Sequence, residues 1–113
     1  MNKREVGGLY EALAADYIKK QGYVLLEQNF RCRQGEIDMI ARDDEVLVFL
    51  EVKYRADASM GDPAEAVTFR KQQHIRRTAQ YYLYQKGYSE ETPCRFDVIC
   101  ILGDKIRLIE NAF

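Results

Sequence analysis

The segment Leu47-Val48-Phe49-Leu50-Glu51-Val52-Lys53 constrains this chain more than any other. Four apolar residues in a nearly unbroken run read as a central strand covered on both sides. Charges at the end of such a strand are costly unless they are used. Glu51 and Lys53 therefore need a reason to be where they are.

A partner strand lies just upstream. Residues 36–42 and 46–54 are strand-like runs separated by the polar turn Asp43-Asp44-Glu45. If Asp44-Glu45 is a two-residue loop, Asp43 pairs with Val46, Asp38 lies opposite Glu51, and Glu36 lies opposite Lys53. A four-residue loop keeps that register and a three-residue loop breaks it. Side chains alternate with period two, so Glu36, Asp38, Glu51 and Lys53 are expected on one face. Two carboxylates facing each other across a ladder, with Cβ atoms about 5 Å apart, repel. A divalent cation offsets that repulsion by oxygen ligation. Lys53 stands beside the place of a metal-bound water, an arrangement suited to metal-assisted phosphodiester hydrolysis. An ordinary hairpin, with Glu36–Lys53 as a cross-strand pair and Asp38 solvated, fits the same spacing.

The remaining elements complete an α/β pattern. Residues 5–21 are amphipathic, with Val6, Tyr10, Leu13, Ala14 and Tyr17 on one helical face, and Gly22 stops the helix. Residues 23–30 form the first strand and 57–62 a loop, after which Pro63 suits a short helical turn. A second helix runs from Thr68, its N-cap, to Gln85, with Gly87 beyond it. Its buried stripe is Ile75, Ala79, Tyr82 and Leu83. A buried strand over 94–102 and a last strand over 105–110 give the order α-β-β-β-α-β-β, a mixed sheet with helices against it.

With 113 residues, no repeat and no linker, one domain spanning 1–113 is expected. There is no apolar run of membrane-spanning length and no signal-peptide pattern, which predicts a cytoplasmic protein off the membrane. Cys32, Cys94 and Cys100 show no paired spacing, so neither a disulfide framework nor a zinc site is expected, and Cys94 and Cys100 read as small hydrophobes.

The net charge of -1 hides a segregation of charge. On the outer side of the second helix Arg70, His74, Arg77, Tyr81 and Tyr84 share a face, flanked by Lys71. Cations interleaved with aromatics suit phosphate contacts and base stacking, although a solvated face with amphipathic tyrosines has the same composition. Arg33, with Arg31, lies in the approach to the acidic hairpin, and Arg55 keeps the face of Lys53. Gln72 falls on the buried side of the second helix, where its amide needs a partner and the site strands are within reach. Asp97, among apolar residues, reads first as a structural acid binding an arginine.

Gly35-Glu36-Ile37-Asp38 followed by Glu51-Val52-Lys53 resembles the D…E-x-K signature of the restriction-endonuclease-like superfamily. More closely, the chain resembles the YraN-type family of small bacterial proteins. Further matching stretches are Ala66-Val67-Thr68 with Lys71-Gln72, Arg95-Phe96-Asp97-Val98, and Asn111-Ala112-Phe113. The superfamily often has proline before the first aspartate, where this chain has Ile37. The resemblance implies a restriction-endonuclease-like fold similar to archaeal Holliday-junction resolvases, which are metal-dependent dimers. It places Asp38 and Glu51 at the metal-ligand positions, Lys53 at the catalytic lysine and Glu11 at the acidic residue of the first helix. Glu11 sits at the edge of the helix's apolar face beside Gly7, Ala14, Ala15 and Ile18, none of them aromatic, so it can reach the sheet.

The resulting expectation is a Mg2+- or Mn2+-dependent nuclease for branched or structured DNA, with a homodimer implied by the resemblance. Asp38 and Glu51 ligate the metal, Lys53 and Glu11 assist, and Glu36 and Gln72 support them. Arg70, Lys71, Arg77, Arg33 and Arg55 hold the nucleic acid. The alternative is an accessory protein that binds nucleic acid on the same fold without turnover.

Overall fold

A computed structural model of the chain describes residues 3–57, 59, 61 and 67–113, the first three through their backbone alone. Its elements are α1 (Lys3–Lys20), β1 (Val24–Cys32), β2 (Gly35–Asp43), β3 (Val46–Arg55), α2 (Phe69–Lys86), β4 (Cys94–Leu102) and β5 (Lys105–Ile109). The expected order is therefore met. The helical turn expected at Pro63 lies outside the described residues.

The five strands form one sheet in sequence order. β1, β2 and β3 make an antiparallel meander, β3 and β4 are parallel, and β5 returns antiparallel to β4. A parallel pair needs a crossover, which the segment containing α2 provides. The apolar run in β3 thus lies at the centre of the sheet, covered on both faces. Val48 and Leu50 pack with Met39, Ala41, Ile99 and Ile101 under Ala14, Ala15 and Ile18 of α1. Leu47 and Phe49 pack with Ile37 and Ile40 under Ile75, Ala79 and Tyr82 of α2.

The helix ends follow their local chemistry. The Thr68 side chain accepts the Lys71 N–H at 3.2 Å, and Gly87, at φ 75°, caps α2 in the left-handed conformation. In α1 the buried face differs from expectation. Ala14, Ala15 and Ile18 are buried, Tyr10 and Tyr17 half-buried, and Leu13 is 48% exposed. Small residues let the helix lie close to the sheet, and the tyrosines flank that contact with their apolar bodies.

Asp97 has the structural role expected of it. It is fully buried and accepts Arg95 Nε at 2.9 Å, Tyr23 Oη at 3.1 Å and the Asn111 N–H at 2.9 Å. Arg95 also reaches Asp43 at 3.1 Å, and its guanidinium donates to Tyr23 Oη. The Ala112 N–H donates to the Phe96 carbonyl, and the Phe113 ring stacks on Phe96. Arg95–Val98 and the closing Asn111–Phe113 are thus one locking unit. Cys100 is buried as expected, whereas Cys94 is exposed, its Sγ donating to the Thr92 carbonyl.

Candidate active site

The expected hairpin register is present from Asp43↔Val46 to Met39↔Leu50. At Asp38 it changes. Ile37 and Ile40 both pack under α2, while Met39 and Ala41 pack under α1, so strict alternation breaks between residues 37 and 40. The next rung is made by a side chain: Asp38 Oδ2 accepts the Val52 N–H at 2.8 Å. Asp38 thereby stands beside Glu51 where β2 leaves β3.

Glu51 continues the α2-facing positions of β3 after Leu47 and Phe49, and it is 4% exposed. Its Oε1 lies 3.2 Å from Lys71 Nζ and 3.7 Å from Lys53 Nζ. Its Oε2 is buried with no hydrogen-bond partner. Burial, reinforced by the neighbouring Asp38 charge, pushes the Glu51 carboxyl up to about 7 despite both lysines. Burial likewise raises Asp38, against the opposing pull of the Val52 N–H and Lys71. These are paired carboxyls raised by burial, Glu51 buried and Asp38 half-buried, a condition in which functional carboxylates are commonly found.

Glu11 joins them from α1. With Val6, Gly7, Tyr10, Asp38, Glu51, Val52, Lys53 and Tyr54 it lines a concavity of about 470 Å³. Stacked Tyr10 and Tyr54 rings, 3.6 Å between centroids, tie α1 to β3 at its wall. Burial raises the Glu11 carboxyl, a hydrogen bond to Asn29 lowers it, and Asp38 and Glu36 raise it further. Among the described residues no three acid, histidine or cysteine side chains form a metal-holding group by themselves.

Other expected site residues are placed differently. Among the described residues the ion-pair partner of Glu36 is Arg31, and Lys53 pairs with Glu51 instead. The Glu36–Arg31 pair spans β1–β2, 3.4 Å between Nε and Oε1, and the Glu36 charge still acts on Asp38 and Glu11. Arg31 belongs to strand β1, and only Arg33 remains in the exposed turn. Lys71 leaves the outer face of α2 and enters the site as the nearer ion-pair partner of Glu51. The Gln72 amide donates to the Val67 carbonyl at 3.2 Å, within its own helix entry. Arg55 donates to the neighbouring Tyr54 carbonyl. Arg70, Arg77, Tyr81 and Tyr84 are exposed on α2, as expected.

Two contributors escape sequence reasoning. The Val52 N–H is backbone and carries no residue signal. Asn29, the partner of Glu11, adopts φ 54° within β1. Asparagine is one of the few side chains that tolerate that conformation, which is the only trace it leaves in the sequence.

The chain matches the model of the family described as "Uncharacterised protein family UPF0102" over residues 10–101. A "UPF0102 protein" of Lachnoclostridium phytofermentans is 52% identical over 113 residues, covering 100% of this chain and 96% of that protein. A "UPF0102 protein" of Clostridium botulinum strain Loch Maree is 47% identical, covering 97% of this chain and 94% of that protein. The family match and these full-length similarities agree, and the chain belongs to the UPF0102 (YraN) family.

Proposed function

We propose that this protein is a Mg2+- or Mn2+-dependent nuclease for branched or otherwise structured DNA, built on a restriction-endonuclease-like fold. The observation that carries the reading is the bare Oε2 of buried Glu51, adjacent to Asp38 in the wall of an open concavity. An ionised carboxylate oxygen without water or a donor is costly, and a hard cation between two such groups removes the cost. The donor set fits. Asp38 and Glu51 supply carboxylate oxygens, and ions such as Mg2+ keep several waters and take up substrate phosphate oxygens. When bound, the ion polarises the phosphodiester and lowers the pKa of a water.

The chain's own groups perform the rest. The Val52 N–H fixes one oxygen of Asp38 and leaves the other for ligation. Lys53 Nζ, beside Glu51, orients the attacking water or stabilises charge developing on the phosphate. Glu11, in the same concavity, would support the ion from outside its direct ligands. The Tyr10–Tyr54 stack braces α1 against β3 at the wall of the concavity. Arg70 and Arg77, with Tyr81 and Tyr84, present cations and rings to a backbone approaching along α2.

The test is incubation of highly purified protein with labelled four-way junction, flap and linear DNA, with RNA alongside, in Mg2+ or Mn2+ and in chelator. Metal-dependent cutting of a branched substrate is expected. Binding without cutting under every condition assigns the same residues to a nucleic-acid-binding accessory protein.

A further inference from the structure

Lys71 occupies a position that a simple phosphate-binding lysine does not need. Its Nζ is 3.2 Å from Glu51 Oε1, closer than Lys53 at 3.7 Å. Glu51 is almost fully buried, so without a bound cation these two ammonium groups supply its charge compensation. The two lysines differ in freedom. The Lys53 side chain is 22% exposed on a central strand, whereas that of Lys71 is 40% exposed and reaches in from the surface. Lys71 also lies in the first turn of α2, three residues after the Thr68 cap, where there is no acid. A cation there opposes the helix dipole, so the helix itself gains nothing from it. The same dipole favours an anion near that end, and exposed Arg70 is its neighbour.

Building on the nuclease reading, we propose that Lys71 is the resident counter-ion of Glu51. It holds the buried carboxylate in the metal-free protein, competes with the divalent ion for it, and turns to a nucleic-acid phosphate once the ion is bound. The flexible four-carbon stem and compact ammonium of lysine suit such an exchange. Lys71 is therefore a positioning residue whose two partners, Glu51 and a phosphate, are used in turn.

The experiment measures two affinities. Calorimetric Mn2+ titrations at pH 8 compare wild type with Lys71→Met, Lys71→Gln and Lys71→Arg, each checked for folding by thermal melting. Removing a charge this close to the ion should tighten Mn2+ binding about fivefold in the Met and Gln variants, with Lys71→Arg near wild type. Junction binding is then measured in Ca2+ and in chelator. Lys71→Met should weaken it about tenfold in Ca2+ and barely in chelator, because without an ion Lys71 stays on Glu51. Unchanged or weaker Mn2+ binding in the variants, or an equal loss of junction affinity under both conditions, overturns the inference and leaves the nuclease reading standing. A wild type that binds no Mn2+ overturns both.

Discussion

Burying the Glu51 carboxylate has a consequence for stability that can be measured without any substrate. Its folded-state value, about 7, lies above the ordinary value of 4.5. At low pH the group is protonated whether the chain is folded or not, and it costs nothing. As pH rises from about 4.5 toward 7, the unfolded chain gives up the proton first, so stability falls. Above 7 the cost is complete, up to about 3 kcal/mol. Asp38, also raised by burial, acts in the same direction. Glu51→Gln should therefore melt several degrees above wild type at pH 8 in chelator, with the difference shrinking at pH 5. Thermal melts at the two pH values check this, and an equal difference at both would contradict it. At the level of single residues Asp38, Glu51 and Lys53 were legible from spacing and type, and Glu11 from the family resemblance; the four line one concavity. Lys71 was legible as a cation but not as a partner of Glu51. A lysine in a helix has the same sequence signal whether it faces solvent or turns inward.

The elements were readable where turn chemistry and capping agree with periodicity. The polar turn after β2 set the hairpin register, and Thr68 and Gly87 bounded α2. The break at Asp38 was not readable, since alternation assumes an unbroken ladder, and a carboxylate taking a backbone rung leaves no pattern. The face of α1 was misjudged at Leu13 because alanines make the close contact with the sheet and leave the larger residue outside. The β1–β2 turn packs against α2: a Cβ on Gly35 would stand 3.0 Å from Thr78 Oγ1, with φ at 152°. Gly35→Ala should accordingly destabilise the protein by about 1–2 kcal/mol, read from denaturant unfolding, and should weaken Mn2+ binding little. On the outer side of α2, Arg70→Ala with Arg77→Ala should lower junction affinity across all sequences and flatten its salt dependence. Binding isotherms over a salt series report both, and an unchanged slope would assign that face to solvent or protein contacts.

For the molecule as a whole, the α-β-β-β-α-β-β order and mixed sheet followed from the sequence because two long helices and a polar hairpin leave few alternatives. The locking unit of Tyr23, Arg95, Asp97 and Asn111 joins residues 74 positions apart between Tyr23 and Asp97. Only its Arg–Asp part was foreseeable from local sequence. This unit ties β4 and residues 111–113 to the end of β2 through Asp43 and to the start of β1 through Tyr23. Among the described residues no helix is long and apolar enough to cross a membrane.

If Asp38 and Glu51 hold an ion beside which Lys53 acts on a phosphodiester, while binding draws on other cations, removing the lysine separates cutting from binding. Single-turnover cleavage of a branched DNA by wild type and Lys53→Ala, with junction affinity measured on the same samples, tests it most directly. Metal-dependent cutting by wild type is expected, with a loss of at least about a hundredfold in the variant and affinities within a few-fold of each other. Equal cleavage rates in the two proteins, or no cutting by wild type with either metal, would contradict it.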